Sequence, residues 1–105
     1  MPPRRSRSAR SLLLSHVRAS LEDRPGIYRM LGEGGLVLYV GKSKHLRRRL
    51  LSYFRAKGRR SKAAKILREA VAIDWEYVPT EFGALLRELR LIKQHRPRFN
   101  HAMKH

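Results

Sequence analysis

Apolar positions along the chain recur at two periods. Leu13, Leu14, Val17 and Leu21 fall at helical spacing behind Ser11, a good cap, so a helix is expected over 12–21. Asp23-Arg24-Pro25-Gly26 is a turn. Residues 26–31 and 36–40 read as strands, and Gly32-Glu33-Gly34-Gly35 joins them as a hairpin. The period returns to helical over 44–55, where Leu46, Leu50 and Phe54 stand at i, i+4 and i+8. A basic loop follows at 56–60. Ser61 caps a helix to about Ala70, with Ala64, Ile66 or Leu67, and Ala70 inward. Residues 73–78 alternate apolar and polar and read as a third strand. Thr80 caps a last helix to about His95, and Pro97 prevents its continuation.

The expected order is therefore α-β-β-α-α-β-α, an α/β (α+β) fold in which helices cover a small, mainly antiparallel sheet of three strands. A length of 105 residues suits one domain. Residues 1–10 carry four arginines and little apolar content, so they are expected to be a disordered basic arm. The domain proper is placed at 11–100, and 101–105 form a tail.

Charge changes the picture. The net charge is +17, from 25 Lys and Arg against 8 Asp and Glu. No acid occurs between Glu33 and Glu69, a stretch that holds Lys42, Lys44, Arg47, Arg48, Arg49, Arg55, Lys57, Arg59, Arg60, Lys62, Lys65 and Arg68. Nucleic acid is the expected partner of such a surface; an acidic membrane surface or an acidic protein is the competing reading. The chain has no cysteine, which excludes a disulfide framework and a thiolate metal site. No apolar run approaches the ~20 residues that span a bilayer. A soluble cytoplasmic protein associated with the nucleoid is expected. No pattern in the chain specifies an oligomeric state.

Two triplets carry the candidate chemistry: Gly26-Ile27-Tyr28 and Tyr39-Val40-Gly41, the second followed directly by Lys42. Either glycine alone would be a turn or a strand exit, and either tyrosine a half-buried strand residue. Strand alternation gives Tyr28 the face of Gly26 and Met30, and Tyr39 the face of Val37. Lys42, Arg49 and Tyr53 follow at spacings of seven and four, which share a helical face, although Lys42 is expected to precede the helix. A guanidinium such as that of Arg49 grips phosphate through two parallel hydrogen bonds. Glu88 is the sole acid from Phe82 to the C-terminus, at the edge of an apolar stripe of Phe82, Leu85, Leu86, Leu89 and Ile92. Its ordinary role would be a helical salt bridge with Arg87, Arg90 or Lys93. Its chemical role would be to hold Mg²⁺ or Mn²⁺, since such ions need few carboxylates when phosphate supplies the other oxygens.

The triplets, the segment 25–54 and the segment 81–100, which ends in Arg96-Pro97-Arg98-Phe99-Asn100, resemble the GIY-YIG nuclease family and in particular the N-terminal nuclease domain of UvrC-like excinucleases. The resemblance implies a GIY-YIG fold and a metal-dependent DNA endonuclease with one divalent ion, Mg²⁺ or Mn²⁺, held by Glu88. It implies Tyr28 and Tyr39 as the motif tyrosines, with Tyr39 favoured to help deprotonate the attacking water. Lys42 and Arg49 would stabilise the phosphate, Tyr53 would support the site, and Asn100 would be a supporting position. Lys42 and Arg49 would favour the phenolate of the base. The cut would leave 3′-hydroxyl and 5′-phosphate ends. Lys42, Lys44, Arg47, Arg48, Arg49 and Arg55 are the candidate contacts to duplex or branched DNA. The selectivity implied is structure- or damage-related, as in excision repair, with a protein partner supplying specificity. Val40 stands where the family name has isoleucine, and Gly83 where relatives often carry glutamate. The alternative is a non-catalytic basic nucleic-acid-binding module on the same fold; a third reading is an RNA-binding protein, marked by preference for the shape of duplex RNA.

Overall fold

The computed structural model of the protein describes residues 5–101. The order is α1 (Arg5–Ser20), β1 (Gly26–Leu31), β2 (Val37–Ser43), α2 (Leu46–Arg55), α3 (Lys62–Glu69), β3 (Ala72–Tyr77), α4 (Glu81–His95) and α5 (Arg98–His101), with a 3-10 turn at Glu33–Gly35. The three strands form one antiparallel sheet in the order β2-β1-β3. The central strand β1 therefore sets Tyr28 opposite Gly41 on one side and Trp75 on the other. Gly34 and Gly35, at φ 69° and 80°, close the hairpin in a conformation that side-chain-bearing residues rarely adopt.

The hairpin carries a bulge that strand alternation did not foresee. Met30 pairs with Tyr39 but Leu31 pairs with Val37, so the register shifts across Leu38. One extra residue inverts the alternation. Val37 packs with Val40 on one face, whereas Leu38 and Tyr39 pack with Tyr28 and Met30 on the other. Tyr39 thus does not share the face of Val37; the bulge turns it toward Tyr28. β2 also runs through Gly41, Lys42 and Ser43 rather than ending at Val40. Lys42 lies opposite Ile27 in the sheet and not on a helical approach.

The two faces are covered unequally. Leu13, Val17 and Leu21 of α1 and its exit, Leu46, Leu50 and Tyr53 of α2, and Ile66 and Leu67 of α3 bury one face together with Met30, Leu38 and Ile73. Ser61 caps α3, accepting from the Ala64 amide at 3.1 Å. On the opposite face α4 alone packs Ala84, Leu91 and Ile92 against Ile27, Val37 and Val40. Thr80 caps α4 as expected, accepting from the Gly83 amide at 3.0 Å. A β-carbon at Gly83 would lie 2.8 Å from the Thr80 hydroxyl, so the glycine suits the cap.

Three expectations are corrected. The helix of the N-terminal segment begins at Arg5, so residues 5–10 are helical and Ser11 lies inside the helix; Arg10 anchors this turn by donating to the Phe54 carbonyl at 2.9 Å. Residues 1–4 lie outside the described residues. Of the apolar stripe of α4, Ile92 packs toward the sheet, whereas Phe82, Leu85, Leu86 and Leu89 are exposed and the smaller Ala84 faces inward with Leu91. A short helix not expected from the sequence, α5, follows Pro97 and takes in His101, the first residue of the expected tail, with residues 102–105 outside the described residues. No helix among the described residues is long and apolar enough to cross a membrane.

Candidate functional site

β1 delivers Tyr28, β2 delivers Tyr39, and the third turn of α2 delivers Tyr53. The Tyr28 and Tyr53 hydroxyls hydrogen-bond at 2.8 Å, and their rings meet edge to face at 5.9 Å. The Tyr28 and Tyr39 rings lie 6.1 Å apart. Space for this comes from Gly41: a β-carbon there would stand 2.5 Å from the Tyr28 hydroxyl and ring. Gly26 serves packing instead, since its β-carbon would collide with the Glu76 carbonyl at 2.1 Å and with Leu46 at 2.8 Å. The two triplet glycines therefore have different physical reasons.

A cleft of about 260 Å³ opens over the phenols, lined by Tyr28, Tyr39, Arg49, Ser52, Tyr53, Lys62 and Ala63. Tyr28 and Tyr53 are buried and Tyr39 is half-buried. Burial, followed by the Tyr53 phenol, pushes Tyr28 far above the ordinary phenol range. Burial pushes Tyr53 up to about 12. Burial and then the Glu88 charge push Tyr39 upward. The Arg49 guanidinium pulls all three the other way, but desolvation outweighs it. Arg49 thus acts in the expected direction but is outweighed by burial, Lys42 does not act on these groups, and the phenols are neutral near pH 7.

Lys42 lies elsewhere. It shares the other side of the sheet with Pro25, Thr80 and Ala84, and its charge acts on Glu81 and Glu88. The structure therefore separates Lys42 from Arg49 and Tyr53, which α2 holds together. Glu88 projects from α4 and is partly buried. Burial raises its carboxyl above the usual range, with Lys42 opposing that shift. Its expected partner Arg87 is taken by Glu76, in a bidentate pair at 3.0 and 2.9 Å. Among the described residues Glu88 has no ion pair. A partly desolvated carboxylate without a partner is what a hard cation would complete. No cluster of three His, Cys, Asp or Glu side chains accompanies it among the described residues. This donor set fits an Mg²⁺-like ion that draws its remaining oxygens from water and phosphate.

Asn100 holds the edge of β2. Its side-chain oxygen accepts from the Val40 amide at 2.8 Å and its nitrogen donates to the Val40 carbonyl at 2.9 Å. One amide thus occupies both outward backbone groups of the residue between Tyr39 and Gly41. It is not among the residues that line the cleft.

Of the proposed DNA contacts, Arg49 lines the cleft. Lys44 pairs with Glu81 at 2.9 Å, Arg48 with Asp23 at 3.2 Å, and Arg47 donates to the Arg18 carbonyl at 3.1 Å. All three contacts lie at the surface, where such pairs contribute little to stability. Arg55 is exposed at the end of α2. Sequence reasoning missed Lys62, whose ammonium sits 4.2 Å from the centre of the Tyr39 ring. The signal was present in Ser61, whose capping role puts Lys62 in the first turn of α3.

Comparison with known proteins matches this architecture. A model of the UvrC-like GIY-YIG domain matches residues 24–101. UvrABC system protein C of Rhizobium meliloti is 45% identical over 80 residues, covering 76% of this chain and 12% of that protein. The same-named protein of Maricaulis maris is 39% identical over 98 residues, covering 93% of this chain and 15% of that protein. The chain thus spans about a seventh or less of the length of these relatives. The GIY-YIG N-terminal endonuclease domain of UvrC from Thermotoga maritima, solved with its catalytic divalent cation, magnesium, superimposes with a TM-score of 0.67 at 28% identity, covering 93% of this chain and 98% of that one. An asparagine point mutant of that domain, also bound to its catalytic divalent cation, gives 0.68 over 93% and 97%.

Proposed function

Since the chain belongs to the UvrC-like GIY-YIG domain family, we propose that it is a divalent-metal-dependent DNA endonuclease acting within an excision-repair-like system. The observation that carries this reading is a cleft shared by three phenols and Arg49, with a carboxylate, Glu88, whose charge acts on Tyr39 and which lacks an ion-pair partner among the described residues. Support also comes from the Thermotoga maritima domain, which is described as an endonuclease with a catalytic divalent cation.

In this reading the substrate is a phosphodiester of duplex or branched DNA. Arg49 grips its non-bridging oxygens as negative charge builds there. Lys42 adds positive potential from the other side of β2. Tyr39, the most open of the phenols, accepts a hydrogen bond from the attacking water and orients it in line with the bond to be broken. Tyr28 and Tyr53 fix the cleft wall behind it. Glu88 would hold one Mg²⁺ or Mn²⁺, which supplies charge neutralisation at the leaving 3′ oxygen and lowers the pKa of hydroxyls beside it. The water oxygen bonds to phosphorus as the phosphorus–O3′ bond breaks. The water's proton passes to the Tyr39 oxygen as that phenol releases its own proton to solvent, so Tyr39 is neutral before and after the step. The 3′ oxygen takes a proton from solvent, which yields 3′-hydroxyl and 5′-phosphate ends. The multi-component name of the relatives supports a protein partner that brings specificity.

The neutral phenols favour one other reading, a binding module on this fold that does not cut. End-labelled duplex and branched oligonucleotides, incubated with Mg²⁺, Mn²⁺ or EDTA, separate the two. Metal-dependent products with 5′-phosphate ends support the endonuclease. Tight binding without products in either metal supports the module.

A further inference from the structure

Lys62 was not among the residues that the sequence singles out, yet it lines the same cleft as Arg49 and the phenols. Burial lowers its pKa. Among the described residues no carboxylate pairs with it. The one acid in its helix, Glu69, sits at the far end and is bonded to Arg98. The ammonium sits over the Tyr39 ring face, 4.2 Å from its centre. A cation drawn partly out of water without a counter-ion is held at a cost, and an anion entering the cleft would offset it. Ala63 lines the cleft as well, so the positive end of the α3 dipole opens into the same space. The loop that leads into α3 presents Lys57, Arg59 and Arg60, all exposed.

We propose that Lys62 and the first turn of α3 form a second phosphate subsite in the cleft, which takes a backbone phosphate of the nucleic acid flanking the one held by Arg49. This rests on the endonuclease reading above. Lys62 is then a substrate-binding residue, and the loop 56–60 continues the path of the strand away from the cleft.

The test compares wild type with Lys62→Met, which keeps the apolar stem over Tyr39, and with Lys62→Arg, which keeps the charge. DNA affinity is measured in EDTA across a salt series, on duplexes carrying one neutral methylphosphonate at successive positions. Loss of one phosphate contact should flatten the log–log salt slope by about one in Lys62→Met and leave it unchanged in Lys62→Arg. A methylphosphonate at one flanking position should weaken wild type about tenfold and leave Lys62→Met unaffected there. Single-turnover cleavage by Lys62→Met should fall about 10-fold to 100-fold. Lys62→Gln repeats the test should the methionine variant misfold. If wild type cleaves and the charge-removing variant shows the same slope and methylphosphonate profile as wild type, the subsite is refuted and the endonuclease reading stands. A wild type that neither binds nor cleaves DNA overturns both.

Discussion

The two faces of the sheet differ in how they are closed. Under α1, α2 and α3 the face is covered by three helices except where the cleft opens over the phenols, and the buried phenols of Tyr28 and Tyr53 satisfy each other through a 2.8 Å bond. Under α4 the cover is thin, the large apolar residues Phe82, Leu86 and Leu89 point away from the sheet, and Glu88 is left partly buried without an ion pair among the described residues. The closed face builds a rigid wall of phenols, and the thin face leaves a charge to be answered from outside. β2 is where they meet. Its bulge at Leu38 sends Tyr39 to the closed face while Lys42 stays with α4. A site that straddles one strand needs both faces in register, so small changes in β2 should matter more than large ones elsewhere.

The comparison breaks most severely at Gly41. Gly41→Ala puts a methyl 2.5 Å from the Tyr28 hydroxyl, so strand or ring must move. Overpacking of this kind costs about 1–3 kcal/mol, and the displaced phenol should reduce cleavage by about 100-fold. Urea unfolding and single-turnover cleavage check both, and wild-type values in each would show that the close approach is tolerated. Arg49→Ala should leave the fold intact, since the residue is exposed, and lower cleavage about 10²–10³-fold with much less effect on affinity. Equal losses in affinity and rate would reduce Arg49 to a positioning cation.

Asn100→Ala strips both outward bonds from Val40 at a partly buried edge, worth about 1–3 kcal/mol. Thermal melting measures that loss, and amide exchange faster at Val40 than at the central strand would place it at β2. The smallest effect is expected of Tyr53→Phe, which removes one buried hydrogen bond worth about 1 kcal/mol. Its alkaline signature is sharper. The folded Tyr53 keeps its proton up to about 12. The unfolded phenol releases its proton near pH ~10. Stability from this group is therefore complete below pH ~10 and declines as pH rises through the folded value. The variant should lose about one proton from the pH dependence of unfolding in that window. An unchanged slope would mean that Tyr53 titrates normally.

Much of this was legible in the chain. Helix and strand periods placed β1, α3 and α4 closely, because Ser61 and Thr80 cap where a capping residue should. The triplets and Glu88 were visible because their residue types are scarce there. The bulge was not visible, since no residue type marks Leu38 as the one left unpaired, and it alone inverts the face of Tyr39. The outward stripe of α4 was unreadable for a related reason. Periodicity reports which residues share a face but not which face meets a sheet, and there the small Ala84 wins over Phe82. Asn100 was named only through the family resemblance, because its two bonds to Val40 are a long-range contact that local pattern cannot encode.

The most direct test of the account is nicking of supercoiled plasmid by wild type and Glu88→Ala, with Mg²⁺ and with EDTA, alongside DNA affinity and thermal stability. The account predicts metal-dependent nicking by wild type and a loss of about 10³-fold in the variant. It also predicts affinity retained and a melting temperature equal or higher, because the variant removes a partly buried charge without a partner. Nicking by Glu88→Ala at the wild-type rate, with the same metal dependence, would contradict it.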